Sequence, residues 1–482
     1  MYQPFAIAKP VWETGKEKEM NHFLAFTARI PKGHAVLTLA ASTIYSCFIN
    51  GRFAFQGPAR GPKGWYRVDE VELDRFLTQE ENHLDIEVGG YYCSGFMYVM
   101  QPSFLQAELV HEGKILAATG ITGFEAVHIS EKVQKTQRYS FQRVFTEAYR
   151  LDENSFSFRT RRPAKEACVS LRIQEEKRLL PRGVKLLRYD RADAAERVAS
   201  GSVETGGKRE KYWEDRALLN ISPILTGFPK DQLEFIASQE VQETQIHFDD
   251  RTPIPYAAQE FAPDTGAIYA FSHNTAGMLG CHILCQSPAT VYFAFDEILV
   301  DIQFMRADCA SILKYELQPG EYDLLSYEPY VMKYVKVLVL GGTCQVNNLH
   351  IRQVVCPDVS RVPNTAKESL QKIYGAACET FRQNAVDIFM DCPSRERAGW
   401  LCDSFWTARA ARMMYGDEQA EKAMLENFLC VPRERQRYGF FPSCYPANGD
   451  FTKDVILTWS FWLLLELSEY CLRTGDWSFA QE

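Results

Sequence analysis

The sequence lacks any apolar run long enough to cross a membrane. Its most apolar stretch, Trp459–Leu465, is interrupted by Ser460 and followed by Glu466, and it is far shorter than the roughly 20 apolar residues of a membrane-spanning helix. The first ten residues, Met1–Pro10, also lack the apolar core of a signal peptide. We therefore expect no membrane partner and a cytoplasmic location.

An excess of positive charge is also missing. The net charge is −9 and the 53 Lys and Arg residues are dispersed along the chain, whereas nucleic acid binding requires a concentrated basic face. Nucleic acid is therefore not expected as a partner. With 482 residues, 46% of them apolar, the chain is too long for a single hydrophobic core and should form several domains.

Clustered cysteines are scarce, although the chain contains 14 Cys. Most of them lie in apolar contexts, such as Cys47 and Cys471, which favours buried reduced thiols over a disulfide framework. The segment Cys281-His282-Ile283-Leu284-Cys285 resembles half of a metal site, but no second pair of ligands follows it and its sequence is strand-like. We expect neither a metal ion nor a cofactor.

Short β-prone runs separated by turn residues occupy the first three quarters of the chain, and no internal repeat is evident. Two blocks are predicted, residues 1–160 and 161–360, each a β-sandwich. Asn50-Gly51 is typical of a tight turn, and the polar, glycine-rich Gly201–Lys211 segment predicts a loop. The clearest strands are predicted at Ala35–Leu39, Ile44–Ile49, Trp65–Val71, His83–Val88, Thr290–Phe295, Tyr322–Ser326, Lys333–Leu340 and Leu349–Val355.

The pattern changes to helical after Pro357. Apolar residues at helical spacing and capping residues predict four helices in residues 361–482. They are expected from Asn364 or Thr365 to Asn384, from Asp403 to about Gly416, over Asp417–Leu429 and over Asp454–Thr474. Four helices suit a small bundle or the first third of a larger helical barrel, and the end of the sequence within this region favours the barrel.

The segment between the first two of these helices carries the strongest chemical signal. Residues 391–403 contain three carboxylates, two arginines and one tryptophan, with Pro393 and Gly399 interrupting helical geometry. Glycosidic bond hydrolysis needs one carboxylic acid to protonate the leaving oxygen and a second carboxylate to activate water or attack carbon. Glu396 is the candidate acid, because neighbouring negative charge and apolar burial would keep it protonated near neutral pH.

The other residues of this segment suit sugar binding. Asp391 and Asp403 can accept hydrogen bonds from sugar hydroxyls and raise the pKa of Glu396 by repulsion, and Trp400 offers an apolar face to a sugar ring. The two arginines would lower that pKa if they paired with Glu396, so we expect them to point away from it. The same residue types also suit helix caps and surface salt bridges, and composition alone leaves both interpretations open.

A resemblance favours the first interpretation. Asp391-Cys392-Pro393-Ser394-Arg395-Glu396-Arg397-Ala398-Gly399-Trp400 resembles the catalytic signature of the α-L-rhamnosidases of glycoside hydrolase family 78. Upstream segments also resemble parts of that family, and together they cover nearly all of the chain. These segments are Phe48-Ile49-Asn50-Gly51, Gly57-Pro58-Ala59-Arg60, Gly64-Trp65-Tyr66-Arg67, the weaker match Ser140-Phe141-Gln142-Arg143-Val144-Phe145, and Tyr330-Val331-Met332-Lys333-Tyr334-Val335.

The resemblance implies a fold and an activity. The fold is two N-terminal jelly-roll-like β-sandwiches, the first of them galactose-binding-like, followed by the first helices of an (α/α)6 six-hairpin barrel. The activity is inverting hydrolysis of terminal α-L-rhamnose from rhamnose-containing oligosaccharides or glycosides. By position, the general acid is Glu396, and the substrate-binding residues are Asp391, Trp400 and Asp403, with Arg395 and Asp454 as further candidates.

The chain departs from the family pattern in three ways. Cys402 replaces the usual glycine before the aspartate, and Thr452-Lys453-Asp454 replaces Trp-Gly-Asp, so one stacking ring must come from elsewhere, such as Tyr445 or Phe451. The family's general base, a late glutamate, is expected beyond residue 482. We therefore expect a partial barrel whose last helix exposes apolar residues around Trp459 and Phe461, with self-association as a consequence.

Two rival hypotheses remain at this stage. The chain could be a non-catalytic carbohydrate-binding protein with sandwiches that bind glycans, or a six-hairpin glycosidase for another sugar. The pocket residues that would separate the rivals cannot be derived from the sequence.

Overall fold

The computed structural model describes residues 2–304, 309–357, 367–414, 416–432, 439–448 and 456–478. Within these ranges no helix combines the length and the apolar character that crossing a lipid bilayer requires. The architecture is mainly β in the first three quarters of the chain and helical in the last quarter.

Thirteen strands occupy the first 181 residues. In chain order they are β1 (Val11–Glu13), β2 (His22–Pro31), β3 (Ala35–Ser42), β4 (Ile44–Ile49), β5 (Arg52–Gly57), β6 (Trp65–Glu72), β7 (Glu81–Gly90), β8 (Phe104–His111), β9 (Lys114–Ala118), β10 (Glu125–His128), β11 (Ala148–Leu151), β12 (Leu171–Ile173) and β13 (Arg178–Pro181). The predicted turn at Asn50-Gly51 connects β4 to β5 with positive φ at both residues, as a tight hairpin requires.

Twelve of these strands form the first sandwich. One sheet has the order β12-β1-β8-β3-β6-β13, with β9 paired to β8, and the facing sheet has the order β10-β2-β7-β4-β5. Alternate residues of the strands point between the sheets, for example Leu37 and Leu39 from β3 and Leu84 and Ile86 from β7. Their burial around a common apolar core stabilises the sandwich.

Twelve further strands follow. They are β14 (Arg191–Glu204), β15 (Gln245–Asp250), β16 (Ile254–Pro255), β17 (Gln259–Phe261), β18 (Thr265–Cys285), β19 (Ala289–Asp296), β20 (Leu299–Val300), β21 (Gln303–Phe304), β22 (Ile312–Leu317), β23 (Gly320–Leu325), β24 (Tyr330–Leu340) and β25 (Cys344–Gln353). Ten of these strands and β11 form one large sheet. Its main order is β11-β22-β19-β24-β18-β14-β25-β17, and β15 and β16 pair with β14 while β23 pairs with β18. The long strand β18 pairs with β14 and β24 in its first half and with β23 in its second, so it serves both parts of this sheet.

Strands cross the predicted boundary at residue 160 in both directions. β11 pairs in parallel with β22 of the large sheet, whereas β12 pairs with β1 and β13 pairs with β6 of the first sandwich. The predicted loop over Gly201–Lys211 is wrong for its first residues, because β14 continues to Glu204. Gly201 is needed there because a β-carbon would lie 2.0 Å from the carbonyl oxygen of His247.

Six α-helices complete the described structure. They are α1 (Arg216–Leu219), α2 (Ala237–Gln242), α3 (Glu368–Asn384), α4 (Leu401–Met414), α5 (Gln419–Leu429) and α6 (Leu457–Thr474), and short 3₁₀ turns lie at Asp74–Phe76, Ser157–Arg159, Lys165–Ala167 and Lys230–Gln232. The last four match the four predicted helices. The predicted caps Asn364 and Thr365 lie outside the described residues. Helix α4 begins two residues before Asp403, and α6 ends at Thr474, followed by Gly475 with the positive φ that is common after a helix C-terminus.

Two arginines after strand β5 attach the first sandwich to the helices. The Arg60 guanidinium forms a buried ion pair with Asp387, with Nη2 2.5 Å from Oδ1, and its backbone N–H donates to the same carboxylate at 2.8 Å. The Arg67 guanidinium donates to Asn427 Oδ1 at 2.8 Å and pairs with Glu426 at 2.8 Å on α5. The segment between α3 and α4 is therefore held in place by the sandwich as well as by the helices.

Candidate active site

The segment Asp391–Trp400 forms a closed loop between α3 and α4. The Asp391 backbone N–H donates to the Ala398 carbonyl and the Ala398 N–H donates to Asp391 Oδ1, both at 3.0 Å. Arg397 has a φ of 54°, the left-handed conformation that lets the chain reverse just before Ala398. One carboxylate oxygen of Asp391 is thus used to shape the loop.

The end of the loop pairs with a second segment, residues 443–445. Leu401 N–H donates to the Ser443 carbonyl at 3.0 Å, and Tyr445 N–H donates to the Gly399 carbonyl at 2.9 Å. A β-carbon on Gly399 would lie 2.4 Å from the Tyr445 carbonyl oxygen, so only glycine permits this approach. The pairing fixes the position of Trp400 at the start of α4.

Glu396 is 9% exposed and lies among three polar groups. Trp400 Nε1 donates to Glu396 Oε2 at 2.8 Å, and Gln142 Nε2 lies 3.5 Å from Oε1. Arg395 Nε also lies 3.4 Å from Oε1. The expectation that both arginines avoid Glu396 is therefore wrong for Arg395, whose half-exposed side chain folds back onto its neighbour.

Arg397 does point away from Glu396. Its side chain is buried, and Nη1 donates to the Pro393 carbonyl at 3.3 Å. Burial, together with the nearby guanidinium groups of Arg143 and Arg60, lowers the pKa of Arg397 to about 10. The two arginines on either side of Glu396 thus have different environments, one beside the carboxylate and one inside the protein.

Trp400 is held by two other rings. Its indole makes edge-on contacts with Phe96 from the first sandwich, at 5.7 Å between centroids, and with Trp459 of α6, at 5.3 Å. Such edge-to-face pairs add to the energy of burial. With its N–H bonded to Glu396, the ring has a fixed orientation and in turn fixes the carboxylate.

Asp391 and Asp403 lie close enough to Glu396 to be affected by its charge. Burial, followed by the charge of Glu396, raises the pKa of Asp391 to about 6. Burial and the same charge also raise the pKa of Asp403, in the first turn of α4. The structure thus brings three carboxyl groups and one indole together, an arrangement that general acid–base chemistry can use.

The segment Ser140–Arg143 supports the loop from behind. Ser140 Oγ donates to the Arg395 carbonyl at 3.3 Å, and Arg143 Nη1 donates to the Ser394 carbonyl at 3.0 Å. Sequence reasoning noted this segment as a weak family resemblance but gave none of its residues a role at the site. Gln142, Phe96 and Trp459 were likewise missed, because no local pattern indicates contacts between residues more than 50 positions apart.

The remaining candidates divide into two groups. Asp454 and Phe451 lie outside the described residues, so their roles stay predictions. Tyr445 does not supply a stacking surface, because its ring is fully buried against Phe428 and its hydroxyl accepts a hydrogen bond from the Lys63 backbone at 2.5 Å. In the described ranges, no cluster of three or more His, Cys, Asp and Glu side chains is arranged to hold a metal ion.

Comparisons with known proteins agree with this fold. Residues 361–482 match the family model of the bacterial α-L-rhamnosidase six-hairpin glycosidase domain, and no curated protein matches the chain. The fold is similar to that of the family 78 rhamnosidase of Bacillus sp. GL1, with a TM-score of 0.75, 15% identity, and coverage of 98% of this chain and 68% of that one. The predicted fold class, two β-sandwiches followed by helices of a six-hairpin barrel, is confirmed.

Two other rhamnosidases have the same fold over a smaller part of their length. The α-L-rhamnosidase of Aspergillus terreus has a TM-score of 0.58 and 14% identity, with coverage of 92% of this chain and 47% of that one. The Streptomyces avermitilis α-L-rhamnosidase, solved with L-rhamnose, has a TM-score of 0.55 and 15% identity, with coverage of 95% and 42%. The chain thus spans less than half the length of these two enzymes.

Proposed function

We propose that this chain, which belongs through residues 361–482 to the bacterial α-L-rhamnosidase six-hairpin glycosidases, hydrolyses terminal α-L-rhamnosides with Glu396 as the general acid. Water attacks the anomeric carbon as the bond to the leaving oxygen breaks, and Glu396 gives its proton to that oxygen. A general base takes the proton released by water, so the sugar is released with inverted configuration. A cytoplasmic location is part of the same proposal.

The arrangement around Glu396 carries this proposal. A carboxyl group that is 9% exposed, oriented by the indole N–H of Trp400 and close to the carboxyl groups of Asp391 and Asp403, is positioned as a general acid requires. Asp391 and Asp403 are proposed to accept hydrogen bonds from rhamnose hydroxyls. Each carboxylate can accept more hydrogen bonds than the one it makes with the backbone of the loop or of the helix.

Arg395 and Asp454 complete the proposed binding set. The guanidinium of Arg395 is half-exposed beside Glu396 Oε1, where it can donate to a sugar hydroxyl or to the group attached to the sugar. Asp454 is proposed on its position in the sequence alone. The sugar specificity of the pocket rests on the family match, because another deoxy sugar would need the same acid.

The test compares leaving groups in the variant Glu396→Gln, which keeps the side-chain shape and removes the acidic proton. General-acid assistance contributes about 10²–10⁴-fold, and an alkoxide needs it far more than nitrophenolate does. We therefore expect Glu396→Gln to reduce kcat/KM strongly on an alkyl or flavonoid rhamnoside and only slightly on nitrophenyl α-L-rhamnoside. The assay uses this chain and, in parallel, the product of the complete reading frame of its gene.

Two sets of variants control the interpretation. Asp391→Asn and Asp403→Asn should reduce turnover of both substrates alike, because these side chains hold the sugar. Glu368→Gln, at the exposed start of α3, removes the same single negative charge and should leave the turnover of both substrates unchanged. An equal loss on both substrates for Glu396→Gln would remove the acid assignment. Rhamnose binding without turnover in the complete product would instead favour a carbohydrate-binding protein.

A further inference from the structure

A pocket lies where the first sandwich, the second sandwich and the helical segment meet. Its volume is about 60 Å³, several times the roughly 10–15 Å³ that a site needs to hold one water molecule. Its polar lining includes Arg60, Tyr98, Arg182, Asp387 and Arg397. Three guanidinium groups therefore face one small space behind the loop that carries Glu396.

Two of these guanidinium groups have N–H donors without an acceptor. Among the described residues, the buried Nε atoms of Arg397 and of Arg182 have no hydrogen-bond partner. Buried donors are satisfied in the great majority of native structures, and an unpaired one beside a cation is especially costly. Two such donors that line the same pocket indicate a ligand that accepts hydrogen bonds.

The charges around the pocket do not balance. Arg60 pairs with Asp387 at 2.5 Å, Arg182 pairs with Asp69 at 2.7 Å, and the adjacent Arg143 pairs with Glu328 at 3.4 Å. Within the described part of the chain, Arg397 has no carboxylate at ion-pair distance. Of these four guanidinium groups, three have a paired carboxylate and Arg397 does not, so its buried positive charge has no direct counter-ion among the described residues.

The neighbouring tyrosine does not supply the missing negative charge. Tyr98 lines the pocket, and its hydroxyl donates to Glu328 at 3.2 Å. Burial and the charge of Glu328 raise the pKa of Tyr98 well above its ordinary value, so the phenol keeps its proton. An anion from outside the protein would supply a counter-charge for Arg397.

From this geometry we infer that the pocket is a binding site for a small monovalent inorganic anion, such as chloride, held by the Nε–H donors of Arg397 and Arg182. One negative charge compensates the one unpaired guanidinium, and a spherical acceptor fits a pocket of this size that both arginines line. The site is separate from the sugar pocket, since Arg397 turns away from Glu396. The bound anion would hold the loop on its inner side, one residue from Glu396.

The first experiment locates the anion in the unaltered protein. Crystals of the chain grown or soaked in sodium bromide are expected to show an anomalous bromide peak in contact with Arg397 Nε. This measurement needs no variant, so it does not depend on whether a substituted protein folds. Bromide peaks elsewhere with none in this pocket would overturn the inference.

The second experiment measures the effect of the anion on stability. Sodium chloride replaces sodium methanesulfonate at constant ionic strength while thermal unfolding is followed. Binding to the folded state alone should raise the melting temperature with the logarithm of the chloride concentration once this exceeds the dissociation constant, by about 2 °C at high chloride. We expect this rise to be absent in Arg397→Met, and the chloride-free variant to be at least as stable as the unaltered protein, because it lacks the buried charge.

A matched control separates this site from general salt effects. Arg29→Gln removes one positive charge from an exposed pair with Glu81 and should leave the chloride response unchanged. An equal chloride response in Arg397→Met and in the unaltered protein would contradict the inference.

Discussion

At the scale of single residues, the absence of a side chain at position 399 sets how closely the loop approaches residues 443–445. Gly399→Ala places a β-carbon 2.4 Å from the Tyr445 carbonyl oxygen, and overpacking of this kind costs about 1–3 kcal/mol. We expect a lower unfolding midpoint in urea and a weaker contact between Trp400 and Glu396, detected as a change in tryptophan fluorescence.

The matching control is a glycine with open space around it. A β-carbon added at Gly375, in the middle of α3, would have no heavy atom of another side chain or segment within 4 Å, so Gly375→Ala should stabilise the helix by about 0.5–1 kcal/mol. If both variants lost stability equally, close packing at position 399 would not explain the effect.

The proximity of four candidate residues could be predicted, because their chemistry is contiguous in the sequence. Asp391, Glu396, Trp400 and Asp403 lie within thirteen positions, so a loop between two helices was bound to keep them near each other. The side-chain direction of Arg395 was predicted wrongly, because electrostatic preference alone does not decide where a half-exposed side chain rests. The supporting contacts of Gln142 depend on the whole fold and leave no local signal.

At the scale of elements, the contact between α4 and α6 contains a buried acid. Glu466 is 1% exposed, Ser404 Oγ donates to its Oε2 at 2.6 Å, and its Oε1 has no partner among the described residues. Burial raises the pKa of Glu466 to about 8. The carboxyl group is therefore neutral in the folded protein at pH values where it is ionised in the unfolded chain.

The pH dependence of stability follows from this shift. Because the folded pKa is raised, the contribution of Glu466 is complete below about pH 4.5 and is lost as the pH rises through about 8, with a slope of up to about 1.4 kcal/mol per pH unit. Glu466→Gln mimics the protonated form, so we expect the variant to become more stable than the unaltered protein as the pH increases from 5 to 9.

Denaturant unfolding at several pH values checks this expectation. Glu469→Gln serves as the control, since this side chain lies one turn further along α6, is partly exposed and pairs with Arg409. Parallel pH profiles for the unaltered protein and Glu466→Gln would show that Glu466 ionises normally in the folded state.

The prediction of elements was most accurate for the four helices, since their apolar spacing and the glycine after α6 are local signals. In the sequence, Glu466 was interpreted only as the residue that ends an apolar run. Its spacing from Leu463 and Tyr470, three and four residues away, places it on the buried face of α6, so helical periodicity contained this information. Strands β12 and β13 were missed, because segments of three and four residues are too short to show a strand pattern and form strands by pairing with β1 and β6.

At the scale of the whole molecule, the buried pair between Arg60 and Asp387 joins the first sandwich to the helices. Asp387→Asn leaves the Arg60 guanidinium without its counter-ion, and breaking a buried pair in this way costs about 3–5 kcal/mol. We expect the helical segment of the variant to unfold at lower denaturant concentration than the sandwiches, which would separate the transitions of helical and β circular dichroism signals.

An exposed pair provides the comparison. Glu81→Gln breaks the surface pair with Arg29, which should cost less than about 1 kcal/mol and leave the transitions together. Coincident transitions in Asp387→Asn would show that other contacts, such as those of Arg67, are sufficient to couple the domains.

A further property of the whole molecule is the apolar surface of α6. Phe461, Leu464 and Leu465 are 57%, 56% and 49% exposed, while Trp459 and Trp462 are half-buried. Large exposed apolar patches are uncommon in monomeric proteins, so we expect binding of a hydrophobic dye and concentration-dependent self-association. Leu464→Ser with Leu465→Ser should reduce both, as measured by dye fluorescence and analytical ultracentrifugation. A monomer without dye binding would contradict the prediction.

Domain order could be predicted from composition, because β-prone runs and helical periodicity occupy different parts of the chain. The exchange of strands across residue 160 could not, since pairing between distant strands depends on which edges remain open after the sheets form. The charge imbalance around Arg397 likewise arises only when three domains meet.

The position of β11 has a consequence for synthesis on the ribosome. Ala148–Leu151 pairs with Lys314–Leu317, so its partner emerges about 166 residues later, which at 5–20 residues per second corresponds to roughly 10–30 s of translation. Meanwhile β12 and β13 can already complete the first sandwich around it. The nascent chain therefore contains a folded first sandwich while β11 is still unpaired. When Lys314–Leu317 emerges, β11 becomes an edge strand of the large sheet.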